Sequence, residues 1–510
     1  MNRTNQRTMG VILTYIQIII SVIISIFTTP FITKTLGASE YGLYSVVLSL
    51  SAYINLFQLG IGSSYIRFYS IYRKNNDKRS IENMNGIYLL IFSGLALIAL
   101  IFSLVIMSNV HLLFPNNVDA GQVDLARKSI IILTITSVTS FPVSVFTSFI
   151  IAHERFVFIK LVNILFSIAR TGIIVIVLAI GYRSFAIFLS TLIWTIALDL
   201  LYILYGITKL DFKCRIYKFD KNFFFSVFSF SLFIALNSIV DQFNWNTDKL
   251  IITKMYGTIL TAVYAIGAQL NTMYMEVSTS ITDVFTPMIH QLAQTDNTGK
   301  SFTSLMIRVG RIQFLILGLA LSGFITCGKD FILLWLGSEY SEAYFVSLML
   351  MMPVTIPLVQ NIGIEMQRAR NKHKFRSILY IFMSIGNLLM TIPLCSRYGI
   401  VGAAAGTAVM LVIANGIIMN IYYKKVLDID VYSFWKEIAK IAVVPIGMSA
   451  VSLSVTSFIV LNTVARFLTY AVLFTAIYAF ICWNTVMNSY EKMTIYRMLH
   501  KFSNTREELS

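Results

Sequence analysis

The chain has 510 residues, of which 57% are apolar and only 13% are charged, and its mean hydropathy is +0.75. A soluble protein of this length could not bury so much apolar surface, so the composition predicts a polytopic membrane protein. The net charge of +16 requires no nucleic-acid partner, because membrane proteins concentrate lysine and arginine on one side of the bilayer.

Fourteen apolar segments of roughly 18–25 residues are each long enough to cross a ~30 Å hydrocarbon core as an α-helix. They begin near residues 11, 41, 86, 128, 157, 184, 224, 258, 303, 343, 376, 399, 437 and 464. The first of them lacks a small-residue cleavage site, so we expect no cleavable signal peptide. The sequence therefore predicts an all-α protein with about 14 transmembrane helices.

Lysine and arginine are concentrated in alternate loops, for example at residues 67–79, 209–221 and 368–376. By the positive-inside rule these loops and both termini are cytoplasmic. The chain is thus expected to be a multi-pass membrane protein.

A short motif occurs twice, 220 residues apart. Its copies are Ile32-Thr33-Lys34, Gly37 and Tyr44, and Ile252-Thr253-Lys254, Gly257 and Tyr264. The starts of segments 7–12 follow those of segments 1–6 by about 213 to 219 residues, so the whole chain is doubled. Because each half has an even number of segments, the repeat is parallel, with a pseudo-twofold axis along the membrane normal.

The doubling predicts a six-helix bundle at residues 1–215 and a second at 216–425. Two additional helices follow at 426–488, and a cytoplasmic tail at 489–510. Two such bundles leave a central cavity, and rocking of one against the other gives alternating access, as in many transporters. The additional helices are either attached to the outside of the second bundle or part of a lipid-facing groove.

Several motifs resemble one transporter family. They are Thr29-Pro30-Phe31, Leu36-Gly37, Glu40-Tyr41-Gly42-Leu43-Tyr44, Gln58-Leu59-Gly60-Ile61-Gly62, Asp248-Lys249, Tyr264-Ala265 and Trp335-Leu336-Gly337-Ser338-Glu339-Tyr340. The chain resembles, over essentially its whole length, the polysaccharide transport family. These are Wzx-like O-antigen flippases of the multidrug/oligosaccharidyl-lipid/polysaccharide exporter (MATE-like) superfamily. The motifs describe the fold more than the substrate.

The resemblance implies a specific activity. Such a flippase moves an oligosaccharide, joined through pyrophosphate to a polyprenyl lipid, from the inner to the outer leaflet for capsule or O-antigen biosynthesis. The expected partners are the lipid-linked oligosaccharide, membrane lipids and possible neighbouring polysaccharide polymerases and glycosyltransferases. No resident metal or cofactor is implied.

Cationic side chains are candidates for contacts with the pyrophosphate. Arg170 lies deep in the fifth segment, and its planar guanidinium suits bidentate phosphate binding, although an ion pair with Asp199 would also explain it. Arg308 and Arg311 share one helix face at the start of the ninth segment, and Arg67 ends the second. Anchoring at the cytoplasmic surface would explain Arg308 and Arg311 equally well, and Arg67 is the weaker candidate.

Acidic side chains in the segments are candidates for coupling to H⁺ or Na⁺. Glu276 and Asp283 are seven residues apart on the eighth segment and therefore face the same side. Asp199 is a further candidate. Asp241 is another, although with Asp248 it more readily forms an interfacial cluster.

Other classes of protein remain open. A lipid II-type flippase carries a cargo with the same pyrophosphate-lipid chemistry, and a MATE-type drug/cation antiporter shares the fold but usually has twelve spans. A major facilitator is disfavoured because residues 73–79 lack its G-x-x-x-D-R motif. A membrane glycosyltransferase or polymerase is disfavoured because the longest outer loop, residues 109–127, has few catalytic residue types. A channel would require a selectivity-filter motif, which the sequence lacks.

Overall fold

The computed structural model describes residues 3–58, 60–115, 118–295, 298–370, 372, 374–456, 461–493 and 496. Within these ranges the chain forms helices, turns and short connections, and no β-strand occurs. The predicted all-α membrane fold is confirmed. Leu59, which belongs to one of the motifs, and most of the tail at 489–510 lie outside the described residues.

The chain divides into two compact units. Unit 1 consists of Met1–Ala265 and Ser384–Ala403, and unit 2 of Ile266–Met383 and Ala404–Ser510. Unit 1 contains α1 (Arg3–Ile54), α2 (Ile61–Lys74), α3 (Lys78–Ser108), α4 (Ala120–Ala152), α5 (Phe156–Ala179), α6 (Ser184–Leu210), α7 (Lys221–Tyr256), the start of α8 (Thr258–Thr295) and the middle of α12 (Lys374–Leu411). Unit 2 contains the rest of α8 and α12, α9 (Gly299–Leu336), α10 (Ala343–Val359), α11 (Asn361–Ala369), a π-helical turn (Val412–Ile418), α13 (Met419–Val426), α14 (Val431–Thr456) and α15 (Val464–Thr485).

Every predicted apolar segment lies in a helix. Nine helical runs of the described chain are long and apolar enough to cross a membrane, and two of them, Ile12–Lys74 and Lys374–Val426, each contain two predicted segments. The pair α10 and α11, which is bent by 41°, provides one more span. The two remaining segments lie in α7 and α8, which have 36 and 38 residues.

Glycines with positive φ interrupt the helices at equivalent places in the two halves. Gly37 (φ 75°) breaks α1, and Gly257 (φ 83°) separates α7 from α8. Gly181 (φ 97°) and Gly399 (φ 62°) likewise fall between the fifth and sixth segments of each half. Side chains other than hydrogen disfavour this left-handed region, so glycine permits each break. The sequence repeat is therefore matched by a repeat in backbone conformation.

The two copies of the repeated motif adjoin one another within unit 1. Just after the break at Gly37, the Ser39 hydroxyl lies 3.1 Å from the Thr258 hydroxyl, which follows the break at Gly257. A Cβ atom at Gly42 would lie only 1.8 Å from the Thr258 carbonyl oxygen. Gly42 is therefore required because α1 and α8 approach so closely there.

Polar groups in the core of unit 1 are paired with one another. The Tyr65 hydroxyl donates to Asn85 Oδ1 at 2.5 Å, and the hydroxyls of Ser64 and Tyr88 lie 2.8 Å apart. The Tyr65 and Tyr88 rings meet edge to face with centroids 5.0 Å apart. Because lipid offers no hydrogen bonds, such pairing allows α2 and α3 to pack through polar side chains.

In unit 2 the C-terminal helices pack on α9. A Cβ atom at Gly310 would lie 2.6 Å from the Phe434 ring of α14, and one at Gly318 would lie 3.0 Å from the Tyr478 hydroxyl of α15. That hydroxyl donates to the Leu315 carbonyl at 2.9 Å. Small residues on α9 thus allow both additional helices to dock closely.

Candidate functional site

Arg170 is exposed on the surface of α5, 14 residues after Phe156 and therefore roughly 21 Å along the helix. Among the residues that the structure describes, no carboxylate lies within ion-pairing distance of its guanidinium. Asp199 instead accepts a hydrogen bond from the Ser140 hydroxyl at 2.6 Å. Arg170 is close enough to Tyr44 for the two side chains to interact electrostatically. Its donors therefore remain available within a membrane span.

Arg67 is exposed on α2 and lies against aromatic rings. Its guanidinium carbon is 4.8 Å from the centroid of the Phe230 ring on α7 and 5.8 Å from that of Phe68. Cation–π contacts of this kind hold the stem of the side chain and leave the N–H groups free to bind an anion.

Arg308 and Arg311 have different surroundings although they share one face of α9. Arg308 lies over the Tyr490 ring at 4.1 Å. Arg311 is 5% exposed and donates to Glu491 at 2.6 and 3.1 Å, to Glu437 at 2.9 Å, and to the Val486 carbonyl at 2.7 Å. Its donors thus bind the C-terminal segment and α14, and we name this cluster of Arg311, Glu437 and Glu491 the C-terminal clasp.

The predicted coupling carboxylates of unit 2 lie two turns apart on α8. Glu276 is half-buried, and no described side chain bonds its carboxylate. Asp283 is exposed and interacts electrostatically with Arg368, which itself pairs with Glu365 at 2.6 Å. Both carboxylates are thus accessible, but among the described residues only Asp283 has a nearby cation.

The predicted candidate Asp241 is exposed on α7, whereas Asp248, two turns further along, is enclosed. Asp248 is 2% exposed and accepts hydrogen bonds from Tyr264 at 2.6 Å and from Thr391 at 3.3 Å. From the sequence we expected Asp248 in an interfacial cluster, and its burial was not predicted. Its position four residues before the second copy of the motif is the signal that could have found it.

Equivalent tyrosines of the repeat stand beside opposite charges. Tyr44 of the first copy interacts with Arg170, whereas Tyr264 of the second copy donates to Asp248. Each pair lies within unit 1. The halves therefore share a framework but differ in charge at corresponding places.

The described residues contain no group of three or more His, Cys, Asp or Glu side chains arranged to hold a metal ion.

Comparison with known proteins places the chain in a family. The model of the family described as "Polysaccharide biosynthesis protein" matches residues 8–293, more than half of the chain. The chain belongs to this family. The resemblance drawn from the motifs is thereby confirmed.

Two curated relatives are each 21% identical to this chain. A Shigella flexneri protein named "Putative O-antigen transporter" aligns over 403 residues, which cover 77% of this chain and 92% of the relative. The "Uncharacterized membrane protein EpsK" of Bacillus subtilis (strain 168) aligns over 455 residues, covering 82% and 83%.

Solved structures share the fold at low sequence identity. The structure titled "Lipid II flippase MurJ, inward closed conformation" has a TM-score of 0.70 at 14% identity, covering 92% of this chain and 98% of its own. A multidrug resistance MATE family transporter of the MOP superfamily, in an inward-facing conformation, has a TM-score of 0.63 at 13% identity, with 82% and 96% covered. The family member thus has the fold shared by these transporters.

Proposed function

We propose that this protein is a flippase that moves a polyprenyl-pyrophosphate-linked oligosaccharide from the inner to the outer leaflet of a bacterial inner membrane. The product would serve the synthesis of capsule or O-antigen-type surface polysaccharide. Family membership and the named O-antigen transporter relative support this class of cargo. The bundles at 1–215 and 216–425 would move against each other to give alternating access.

The observation that carries the proposal is Arg170. A guanidinium without an ion pair inside a membrane span costs free energy. Such a residue is therefore expected to have a function, for example the binding of an anion. A pyrophosphate offers such an anion, and the planar fork of arginine binds phosphate oxygens in pairs. Arg67, exposed on its aromatic support, would provide a second contact nearer the predicted cytoplasmic end of unit 1.

An apolar cavity in unit 2 suits the lipid part of the cargo. It has a volume of about 400 Å³ and lies between α9, α10 and α14, where Phe314, Met352, Ile356, Trp435 and Pro445 are among its lining residues. A prenyl chain would enter this cavity from lipid and not from water, so the gain in free energy would come from packing contacts alone.

Exposure of the cargo sugar tests the function directly. In spheroplasts that lack the gene, the lipid-linked oligosaccharide should stay protected from periodate, which does not cross the membrane. Complementation with the wild-type gene should make the sugar accessible. Equal accessibility in the two strains would rule out translocation by this protein.

We propose that the carboxylates of Glu276 and Asp283 on α8 couple transport to an ion. We expect the double variant Glu276→Gln and Asp283→Asn to lose the response of transport in vesicles to an imposed pH or Na⁺ gradient, because both accessible carboxylates then lack charge. The control is Glu339→Gln with Glu342→Gln, which removes two exposed carboxylates of the same unit. A response that persists in the α8 variant would exclude these two residues.

A lipid II-type cargo is the second candidate, favoured by the fold likeness to MurJ. The proposed contacts with pyrophosphate and prenyl chain would serve it equally. Rescue of cells depleted of their own lipid II flippase, without any effect on surface polysaccharide, would favour this alternative.

A further inference from the structure

A polar cavity of about 280 Å³ lies in unit 1, where α2 and α4 end and α3 begins, on the side predicted to be cytoplasmic. The connection after α6 also lines it. We name it the basal pocket. The charged side chains that line it are three cations and two carboxylates, namely Arg73, Lys78, Lys213, Glu82 and Asp211.

The carboxylates of the basal pocket are engaged by other groups. Lys213 pairs with Asp211 at 2.9 Å, and Glu82 accepts a hydrogen bond from the Tyr217 hydroxyl at 2.8 Å. Across the part of the chain that the structure describes, neither Arg73 nor Lys78 has a carboxylate within ion-pairing distance. The cavity therefore has one more cation than carboxylate, and among the described residues Arg73 and Lys78 are its two cations without a direct ion pair.

Arg73 is held in place without using up its donors. One Nη1–H donates to the Ala152 carbonyl at 3.3 Å, and the guanidinium carbon lies 6.0 Å from the centroid of the Tyr69 ring. Four of its five N–H groups remain for another acceptor. A fixed guanidinium loses little entropy when it binds an anion, which favours recognition over diffuse attraction.

The floor of the pocket is fixed by a hydrogen-bonded pair. His153 Nδ1 donates to the Phe149 carbonyl at 2.9 Å, so Nε2 accepts from the Tyr69 hydroxyl at 2.8 Å. Burial lowers the pKa of His153, and the charges of Arg73 and Arg155 add to this effect, although the bond to Phe149 opposes it. The imidazole is therefore neutral at pH 7 and orients Tyr69 beneath Arg73.

We propose that the basal pocket binds a phosphate group through Arg73 and Lys78, either on the head of an anionic membrane lipid or on a soluble phosphate ester. The guanidinium would take two phosphate oxygens and the ammonium would add a point charge. The cavity volume of about 280 Å³ is large enough for a phosphate group. The site uses neither Arg170 nor Arg67, so it stands independently of the proposed flippase activity.

Calorimetry on the purified full-length protein in detergent tests the proposal. The probes are inorganic phosphate and dihexanoyl phosphatidylglycerol, with dihexanoyl phosphatidylcholine as the zwitterionic comparison. We expect the double variant Arg73→Gln and Lys78→Gln to weaken binding of at least one anionic probe by about tenfold or more. The variant Arg73→Lys with Lys78→Arg keeps both charges but removes the guanidinium from position 73, so it should weaken binding less than the double glutamine variant does.

The matched control is Lys74→Gln with Lys209→Gln, which removes two exposed cations of the same side that do not line the pocket. It should leave both affinities within about twofold. A loss confined to phosphatidylglycerol identifies a lipid head group, and a loss for inorganic phosphate identifies a soluble ligand. An equal loss in the control variant, or no binding of either anionic probe to the wild type, overturns the proposal.

A third variant covers a failure of the double variant to fold. Lys78 is exposed at the first turn of α3, so Lys78→Gln alone should preserve the fold. It should weaken binding by about threefold, because one charge remains. Unchanged affinity in this variant would also overturn the proposal.

Discussion

Replacing Arg170 with alanine is expected to abolish surface polysaccharide while leaving the protein in the membrane. The side chain is exposed within a span and has no described ion-pair partner, so its removal should cost little stability. Loss of one partner from a desolvated charge pair costs about 2–5 kcal/mol, which corresponds to roughly thirtyfold or more in transport rate.

The variant Arg170→Lys separates the effect of positive charge from that of the bidentate guanidinium geometry. Lysine retains the cation but not the bidentate geometry, so we expect reduced but measurable polysaccharide. The measurement is surface polysaccharide per cell, normalised to the amount of protein in the membrane fraction. Arg127→Ala, which removes an exposed arginine from α4, is the control and should match the wild type.

One result would contradict the role of Arg170. Normal polysaccharide in the alanine variant would show that no essential contact is made there. Equal loss in the alanine and lysine variants, at normal protein amounts, would instead show that a positive charge is not sufficient and that the guanidinium geometry is required.

The helices and their doubling could be predicted because the bilayer permits few structures. Lipid satisfies no backbone hydrogen bonds, so each long apolar segment has to become a helix, whatever its neighbours are. The repeated motif also marks equivalent positions of the two halves, since Gly37 and Gly257 both adopt positive φ. Local sequence is sufficient for features of this kind.

The candidate site depended on partners that are distant in the sequence. Spacing placed Arg308 and Arg311 on one face, but only the fold brings Glu491, 180 residues away, onto Arg311. Asp248 is likewise buried by Tyr264 and by Thr391, which is 143 residues distant. Periodicity states which face a residue occupies, and it cannot state which residue lies opposite.

Replacing Arg311 with alanine is expected to lower the free energy of unfolding by about 3–5 kcal/mol, because it leaves the buried carboxylate of Glu491 without its cation, whereas Glu437 keeps its ion pair with Lys440. Glu491 is 2% exposed and accepts two of the arginine's hydrogen bonds, so it cannot regain water without opening the C-terminal clasp. The double variant Arg311→Ala with Glu491→Ala should recover part of the loss, since no charge is then stranded at that position.

Arg308→Ala is the matched control, because it lies on the same helix face but contributes only a cation–π contact with Tyr490, worth about 0.5–1 kcal/mol. Unfolding of the purified variants in detergent, followed by helical circular dichroism, measures both changes. If Arg311 served the cargo rather than the clasp, its alanine variant would unfold like the wild type and lose transport. A large fall in stability that Glu491→Ala partly reverses would instead assign the arginine to attaching α14 and the C-terminal segment to α9, leaving Arg170 and Arg67 as the cations proposed for the pyrophosphate.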